Sequence, residues 1–253
     1  LGPMELAATA RDERPVTHVT FSETTIRREV IEELGTLEDI PALPSHYVSR
    51  PALQQQLHAA LQHDSHVMVG GVPGMGETAL AGSVGRDMAR DTPVFWLTLR
   101  PGLTATFDVI VRQLALFLLA NGQAQLRDLA RPTSGTALPP DRQLTLLGTA
   151  LAQQAAQGRP PALLCFDEVQ TVSADETIVA LFRHLRTTPA QVMCMGREAA
   201  LLPDTLTLRL NGLEPAEARQ LITRLDFVLA PALLERLLVK TARSPMLLRL
   251  SAG

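Results

Sequence analysis

Gly71 and Gly76 stand five residues apart, and Thr78 follows two residues later. The segment is Gly70-Gly-Val-Pro-Gly-Met-Gly-Glu-Thr-Ala-Leu80. Glycines let a backbone curl until successive N–H groups point inward, which suits phosphate oxygens. A short apolar stretch, His66 to Gly70, runs into this turn, and a helical pattern, Thr78 to Arg90, leaves it. The turn therefore sits between a strand and a helix N-terminus, whose dipole favours an anion. The spacing is that of G-x-x-x-x-G-K-[ST], with Thr78 in the hydroxyl position suited to Mg²⁺. One position departs, since Glu77 stands where the motif has lysine. Two unit charges ~4 Å apart interact by roughly 4 kcal/mol at an effective dielectric near 20. Exchanging attraction for repulsion is therefore worth roughly several kcal/mol at the phosphate before relaxation, softened if Glu77 turns to solvent. The glutamate reads either as an introduced substitution or as natural loss of hydrolysis.

About ninety residues later, Ala162-Leu-Leu-Cys-Phe-Asp-Glu168 is an apolar strand ending in two carboxylates. This is the form of the acid that holds Mg²⁺ in P-loop NTPases: Asp167 serves the metal and Glu168 polarises an attacking water. Arg197 directly follows the next apolar run, in Met195-Gly-Arg197. An arginine at a strand's C-terminal end points into the ligand crevice of an open α/β sheet and is a candidate γ-phosphate sensor.

The elements that must position these groups alternate along the chain. Pro51 to His63 reads as a helix, with Leu53, Leu57 and Leu61 on one face. Strands are expected at Val94 to Leu99, Ala162 to Phe166, Gln191 to Met195 and Leu206 to Leu210. Helices are expected at Phe107 to Ala120, Asp141 to Gln157 with Asp141 as N-cap, and Glu176 to Leu185. Gln123 to Pro140 reads as a long connection broken by Pro132, Gly135, Pro139 and Pro140. Five strand–helix alternations imply an α/β fold with a parallel sheet covered on both faces. Past Asn211 only helices are expected, at Pro215 to Leu225, Ala230 to Val239 and Pro245 to Ser251. At the other end, Leu1-Gly2-Pro3-Met4 reads as a protease-cleavage remnant. Residues 5–20 carry no period, and Ser22 to Leu34 suggests a short helix ended by Gly35. Ile40 to Arg50 reads as an extended linker.

Together these motifs resemble the STAND class of P-loop ATPases, specifically its NB-ARC-like members of apoptosome and plant immune receptor type. Leu43-Pro-Ser-His-Tyr-Val-Ser-Arg-Pro51 is similar to the segment that touches adenine, with Val48 and Arg50 at its core. Gly71, Val72, Pro73, Gly74, Met75, Gly76, Glu77, Thr78 and Ala79 take the place of the family's phosphate loop. Gly212-Leu-Glu-Pro-Ala-Glu-Ala218 resembles the start of its lid. Ala242-Arg-Ser-Pro-Met-Leu-Leu248 resembles its Gly-x-Pro motif, with Pro245 against adenine and Arg243 in place of the glycine. The resemblance implies a P-loop NTPase fold with a five-stranded parallel sheet of order 5-1-4-3-2 and a small all-helical lid. It implies a lead-in over 1–45, a nucleotide-binding domain over 46–211 and a lid over 212–253. It also implies ATP or ADP and Mg²⁺ as cofactors, Thr78 and Asp167 as metal ligands, and Asp167, Glu168 and Arg197 as the catalytic set. Switching between ADP and ATP would then control self-association of a larger protein carrying effector and sensor domains.

Composition narrows the alternatives. Of 253 residues, 46% are hydrophobic and 19% charged, which suits a packed core and excludes wholesale disorder. The net charge of −3 argues against a mainly electrostatic nucleic-acid binder, and 4% aromatics against a base-stacking platform. The apolar runs are too short to span a bilayer and no secretory signal is read, so a cytoplasmic protein is expected. Cys165 and Cys194 lie in apolar runs without a second ligand at metal spacing, as buried reduced thiols would.

Overall fold

The computed structural model describes residues 36–131, 138–197 and 205–252. The expected Ser22 to Leu34 helix, the cleavage remnant, Pro132 and Gly135 lie outside them. In order, the elements are α1 (Pro51–Asp64), β1 (His66–Gly71), α2 (Glu77–Met88), β2 (Val94–Thr98), α3 (Phe107–Ala120), α4 (Arg127–Ala130), α5 (Pro140–Ala156), β3 (Leu163–Asp167), α6 (Glu176–Leu185), β4 (Gln191–Gly196), β5 (Leu206–Leu210), α7 (Pro215–Arg224), α8 (Pro231–Lys240) and α9 (Pro245–Ala252). The five strands form one all-parallel sheet of order β2-β3-β4-β1-β5, the expected order read from the other edge. Val67 pairs with Met193 on one side of β1 and with Leu206 on the other, which makes β1 an interior strand.

The middles of β1 to β4 are apolar and buried, because both faces are covered there, while the edge strand β5 carries Thr207 and Arg209 and is partly exposed. Alternate residues divide between two cores. Met68, Phe95, Leu97, Phe166 and Cys194 face the side of α3, α5 and α6. Val69, Trp96, Cys165 and Met193 face the side of α1 and α2. Phe166 joins its layer edge-on to Phe95 at 5.6 Å and to Phe182 at 4.8 Å between ring centroids. The two cysteines consequently lie on opposite faces of the sheet. Both are free and fully buried, and burial pushes their thiols up, Cys194 to about 12. A third cluster joins Leu213, Ala218, Leu221, Ile222, Leu238 and Leu248 of the C-terminal helices. Val48, from far upstream, is buried in it.

Several local expectations change. Asp141 is not the N-cap of α5: Pro139 is, and Asp141 lies in the first turn. Proline at N1 supplies a fixed φ and needs no N–H partner, so the helix starts one residue earlier. The connection after α3 is not structureless, since Ala124–Leu126 forms a 3-10 turn that leads into α4. Its Leu126 and Ala130 are fully buried, and two isolated apolar residues carry too little periodicity to read in advance. The cap of α6, Asp175, accepts hydrogen bonds from Thr177 N and Ile178 N at 2.9 and 3.1 Å.

The stretch from Glu38 to Arg50 is docked rather than free. Glu38 bridges Trp96 in antiparallel sense, and its Oε2 accepts from Thr98 N at 2.6 Å. Ile40 packs over Gly82 and Gly85 of α2, where Arg86 donates to the Pro41 carbonyl. Small residues on α2 admit this close approach. The segment is thereby laid along the sheet edge and delivered to the mouth of the glycine turn.

Candidate functional site

The turn between β1 and α2 supplies the frame. Gly74 and Gly76 adopt φ of 84° and 96°, a region costly for residues with a Cβ. Met75 N donates to Val72 O at 3.2 Å, and Leu80 N to Gly76 O at 2.9 Å, so the loop closes directly into the helix. Gly71 is needed for space: an added Cβ would lie 2.8 Å from the Leu210 carbonyl oxygen of β5.

The acidic strand end meets the helix start. Thr78 Oγ1 donates to Asp167 Oδ2 at 2.8 Å across adjacent parts of the sheet edge. Asp167 is buried, which raises its carboxyl above the usual range, with Glu168 and Glu38 adding to the rise and the Thr78 hydroxyl opposing it. Glu168 has φ of 59°, and its N–H donates to Asp167 Oδ1 at 2.9 Å. Left-handed backbone at a non-glycine residue costs ~1 kcal/mol or more and here turns the Glu168 side chain over the crevice.

Gln170 was not singled out by its sequence context. Its Nε2 donates to Glu168 Oε2, and its Oε1 accepts from Arg197 N at 3.2 Å. One amide therefore ties the ends of β3 and β4. Nothing short of pairing those two strands identifies it.

Arg50 is 7% exposed and is spent on backbone. Its guanidinium donates to Met75 O at 3.3 Å, Asn211 O at 3.1 Å and Gly212 O at 3.3 Å, with Glu217 Oε2 at 3.6 Å from Nε. It thus joins the glycine turn to the start of the C-terminal helices. The same helices grip the turn from the other side: Ser244 Oγ and Met246 N donate to Gly74 O at 3.2 and 3.3 Å.

Between these parts lies a cavity of about 830 Å³. The turn from Pro73 to Ala79 lines it with Glu168 and Arg197. Apolar lining comes from Pro41, Tyr47, Val48, Leu221 and Leu250, and from Pro245, whose neighbour Met246 is bonded to Gly74 O. Gly71 and Val72 open instead on a second hollow with Arg209 and Asn211, and Asp167 sits behind the first cavity's wall. His46, Met246 and Arg249 line the cavity without having been expected there. Glu77 lines it too, half-buried, and burial raises its carboxyl, with Asp167 and Glu168 adding to the rise. The backbone N–H groups of Glu77 and Gly76 oppose that rise. Among the described residues no three acidic, histidine or cysteine side chains converge as a self-sufficient metal cage. No described helix is long and apolar enough to cross a membrane.

Solved structures share this architecture at low identity. The STAND protein with a tetratricopeptide repeat sensor from Pyrococcus horikoshii is 19% identical, with a TM-score of 0.59 over 82% of this chain and 30% of that one. The Walker-type ATPase from Pyrococcus abyssi is 13% identical, with a TM-score of 0.55 over 83% of this chain and 69% of that one. The ORC1 protein of Aeropyrum pernix, solved in complex with DNA, is 15% identical, with a TM-score of 0.54 over 84% of this chain and 61% of that one. The chain thus spans under a third of the Pyrococcus horikoshii protein, and these likenesses establish the P-loop ATPase fold. No curated protein sequence matches it. The family model described as AAA ATPase domain matches residues 48–195, more than half of the chain, and the protein belongs to that family.

Proposed function

We propose that the cavity binds an adenine nucleotide, and that the chain is the nucleotide-binding module of a STAND switch ATPase of NB-ARC-like type. In this reading ATP or ADP controls self-association of a larger protein, and Glu77 disables hydrolysis. Residues 46–211 form the nucleotide-binding domain and 212–253 the lid. The observation that carries the reading is the cavity's mixed lining, backbone amides of the glycine turn together with the apolar side chains of Val48, Leu221 and Pro245. A nucleotide combines phosphates and a base in the same way.

Each part of the lining has a distinct task. The N–H groups of the turn and the α2 dipole receive phosphate oxygens. Thr78 and Asp167 offer two hard oxygen donors within 2.8 Å of each other, which suits Mg²⁺ when phosphate oxygens and water complete its shell. Glu168 is placed to orient water and Arg197 to meet the terminal phosphate. Pro245 presents a rigid apolar surface to the base.

Calorimetric titration of ADP and ATP with Mg²⁺ tests this. The Glu77→Lys protein is expected to bind ADP about 10–100-fold more tightly than the parent, since a cation returns to the phosphate end. Absence of saturable ADP binding by that variant would overturn the nucleotide reading. The parent is expected to release phosphate from ATP no faster than its Glu168→Ala variant. Pro245→Glu in the Glu77→Lys background is expected to weaken ADP about tenfold or more while the protein stays folded, because a charge replaces an apolar wall. Unchanged affinity there would remove Pro245 from the site.

A second reading follows from the phosphate end alone. Glu77 and Glu168 line the phosphate end, and Asp167 adds a third carboxylate beside Thr78. A naturally degenerate fold acting as a constitutive interaction scaffold would tolerate this. It predicts that Glu77→Lys still binds no nucleotide.

A further inference from the structure

The Glu77 side chain does not leave the turn for solvent, although nothing in its sequence position prevents that. Its Oε1 lies 2.9 Å from where a Cβ on Gly71 would stand, so the carboxylate reaches back across the loop from the motif's seventh position to its first. The backbone N–H groups of Gly76 and Glu77 act on its carboxyl, opposing the rise that burial causes. These are the donors at the helix N-terminus that an entering phosphate would use. The carboxylate is half-buried, and no lysine of the chain is near to offset it, since Lys240 in α8 is the chain's one lysine. Of the arginines lining the cavity, Arg50 is committed to three carbonyls and Glu217.

From this geometry we infer that Glu77 is a built-in anion filling the phosphate cradle, so that the parent protein selects an adenine nucleoside, uncharged at this end, over a di- or triphosphate. The inference rests on the adenine-nucleotide reading for its apolar lining, and adds that the loss of phosphate affinity is occupancy as well as charge. A missing lysine removes an attraction. A carboxylate folded back over the loop also fills space there, and a phosphate must first displace it. The apolar lining at Val48, Leu221 and Leu250 keeps room for a purine.

The two effects separate when the carboxylate is removed without adding a cation. Glu77→Ala empties the cradle, and Glu77→Gln keeps an acceptor but drops the charge. Calorimetry with adenosine, ADP and inorganic pyrophosphate reads the result. The parent is expected to bind adenosine at least as tightly as ADP, and to bind no pyrophosphate. Glu77→Ala is expected to gain about tenfold or more for ADP and to acquire pyrophosphate binding, with adenosine unchanged. Glu77→Gln should move the same way by less. Should Glu77→Ala and Glu77→Gln both bind ADP no better than the parent while Glu77→Lys binds it well, the cradle was never occupied, and this inference falls while the nucleotide reading stands. A parent that prefers ADP to adenosine by tenfold would overturn it as well. Failure of every variant, Glu77→Lys included, to bind adenosine or ADP would overturn both together.

Discussion

Replacing Gly212 by alanine is expected to destabilise the protein by about 3–5 kcal/mol and to lower its melting temperature by ~10 °C. A Cβ at this position would overlap the carbonyl oxygen of Ala242, and would stand 3.1 and 3.2 Å from the carbonyl carbons of Ala242 and Arg243. All three are backbone atoms, so no side chain can swing away. The backbone they belong to is itself constrained. Ala242 and Arg243 both have positive φ, at 49° and 56°, and Arg243 O accepts from Leu213 N at 2.9 Å. Moving this turn breaks that bond and shifts α9, whose Ser244 and Met246 hold Gly74 O. The loss should therefore extend from stability to the glycine turn. Gly158→Ala is the control. Its φ is 73°, yet nothing lies within 4 Å of an added Cβ, so only the backbone term of about 1–2 kcal/mol applies. Thermal and urea unfolding of the two variants decides the matter. Equal losses would show that the 242–244 turn yields easily.

Arg50→Ala is expected to cost about 3 kcal/mol, again ~10 °C. The guanidinium is buried and bonded to Met75, Asn211 and Gly212 carbonyls, with Glu217 beside it. Its removal leaves these carbonyls without their charged donor and Glu217 without its counter-ion. Glu217 remains held by Glu214 N at 2.9 Å and is partly open to water, which keeps the cost below that of a fully buried lone charge. Arg50→Lys should recover little, because one ammonium cannot serve three carbonyls in the geometry of a planar fork. Chemical denaturation of both variants measures this. A lysine variant as stable as the parent would show that charge, not the fork, holds the turn to the helices.

How far these residues were legible in advance differs by scale. The glycine turn, the acidic strand end and Arg197 were identified from spacing alone, and the sheet brings all three to one edge of the cavity. Turn chemistry and strand-to-helix order are short-range properties, which residue type and spacing carry. Arg50 and Val48 were placed near the base by resemblance. The structure gives Arg50 a backbone-clamping position and buries Val48 in the helical cluster. Such partners lie over 150 residues away in the chain, and no local pattern encodes them.

The sequence by itself determined the run of elements: Phe107 to Ala120, Glu176 to Leu185 and Leu206 to Leu210 have the same bounds in the structure. It did so because periodicity, proline and glycine act within a few residues. Only the tertiary structure decided which face of the sheet Cys165 and Cys194 take, since a strand apolar on both sides carries no alternation to read. Only the tertiary structure joined Glu168 to Arg197 through Gln170, because β3 and β4 are neighbours in the sheet but not in the chain. The direction of the Glu77 carboxylate was decided there as well. A side-chain torsion chooses among staggered wells by what surrounds it, and Gly71, over which the carboxylate folds, is brought near only by the closed loop.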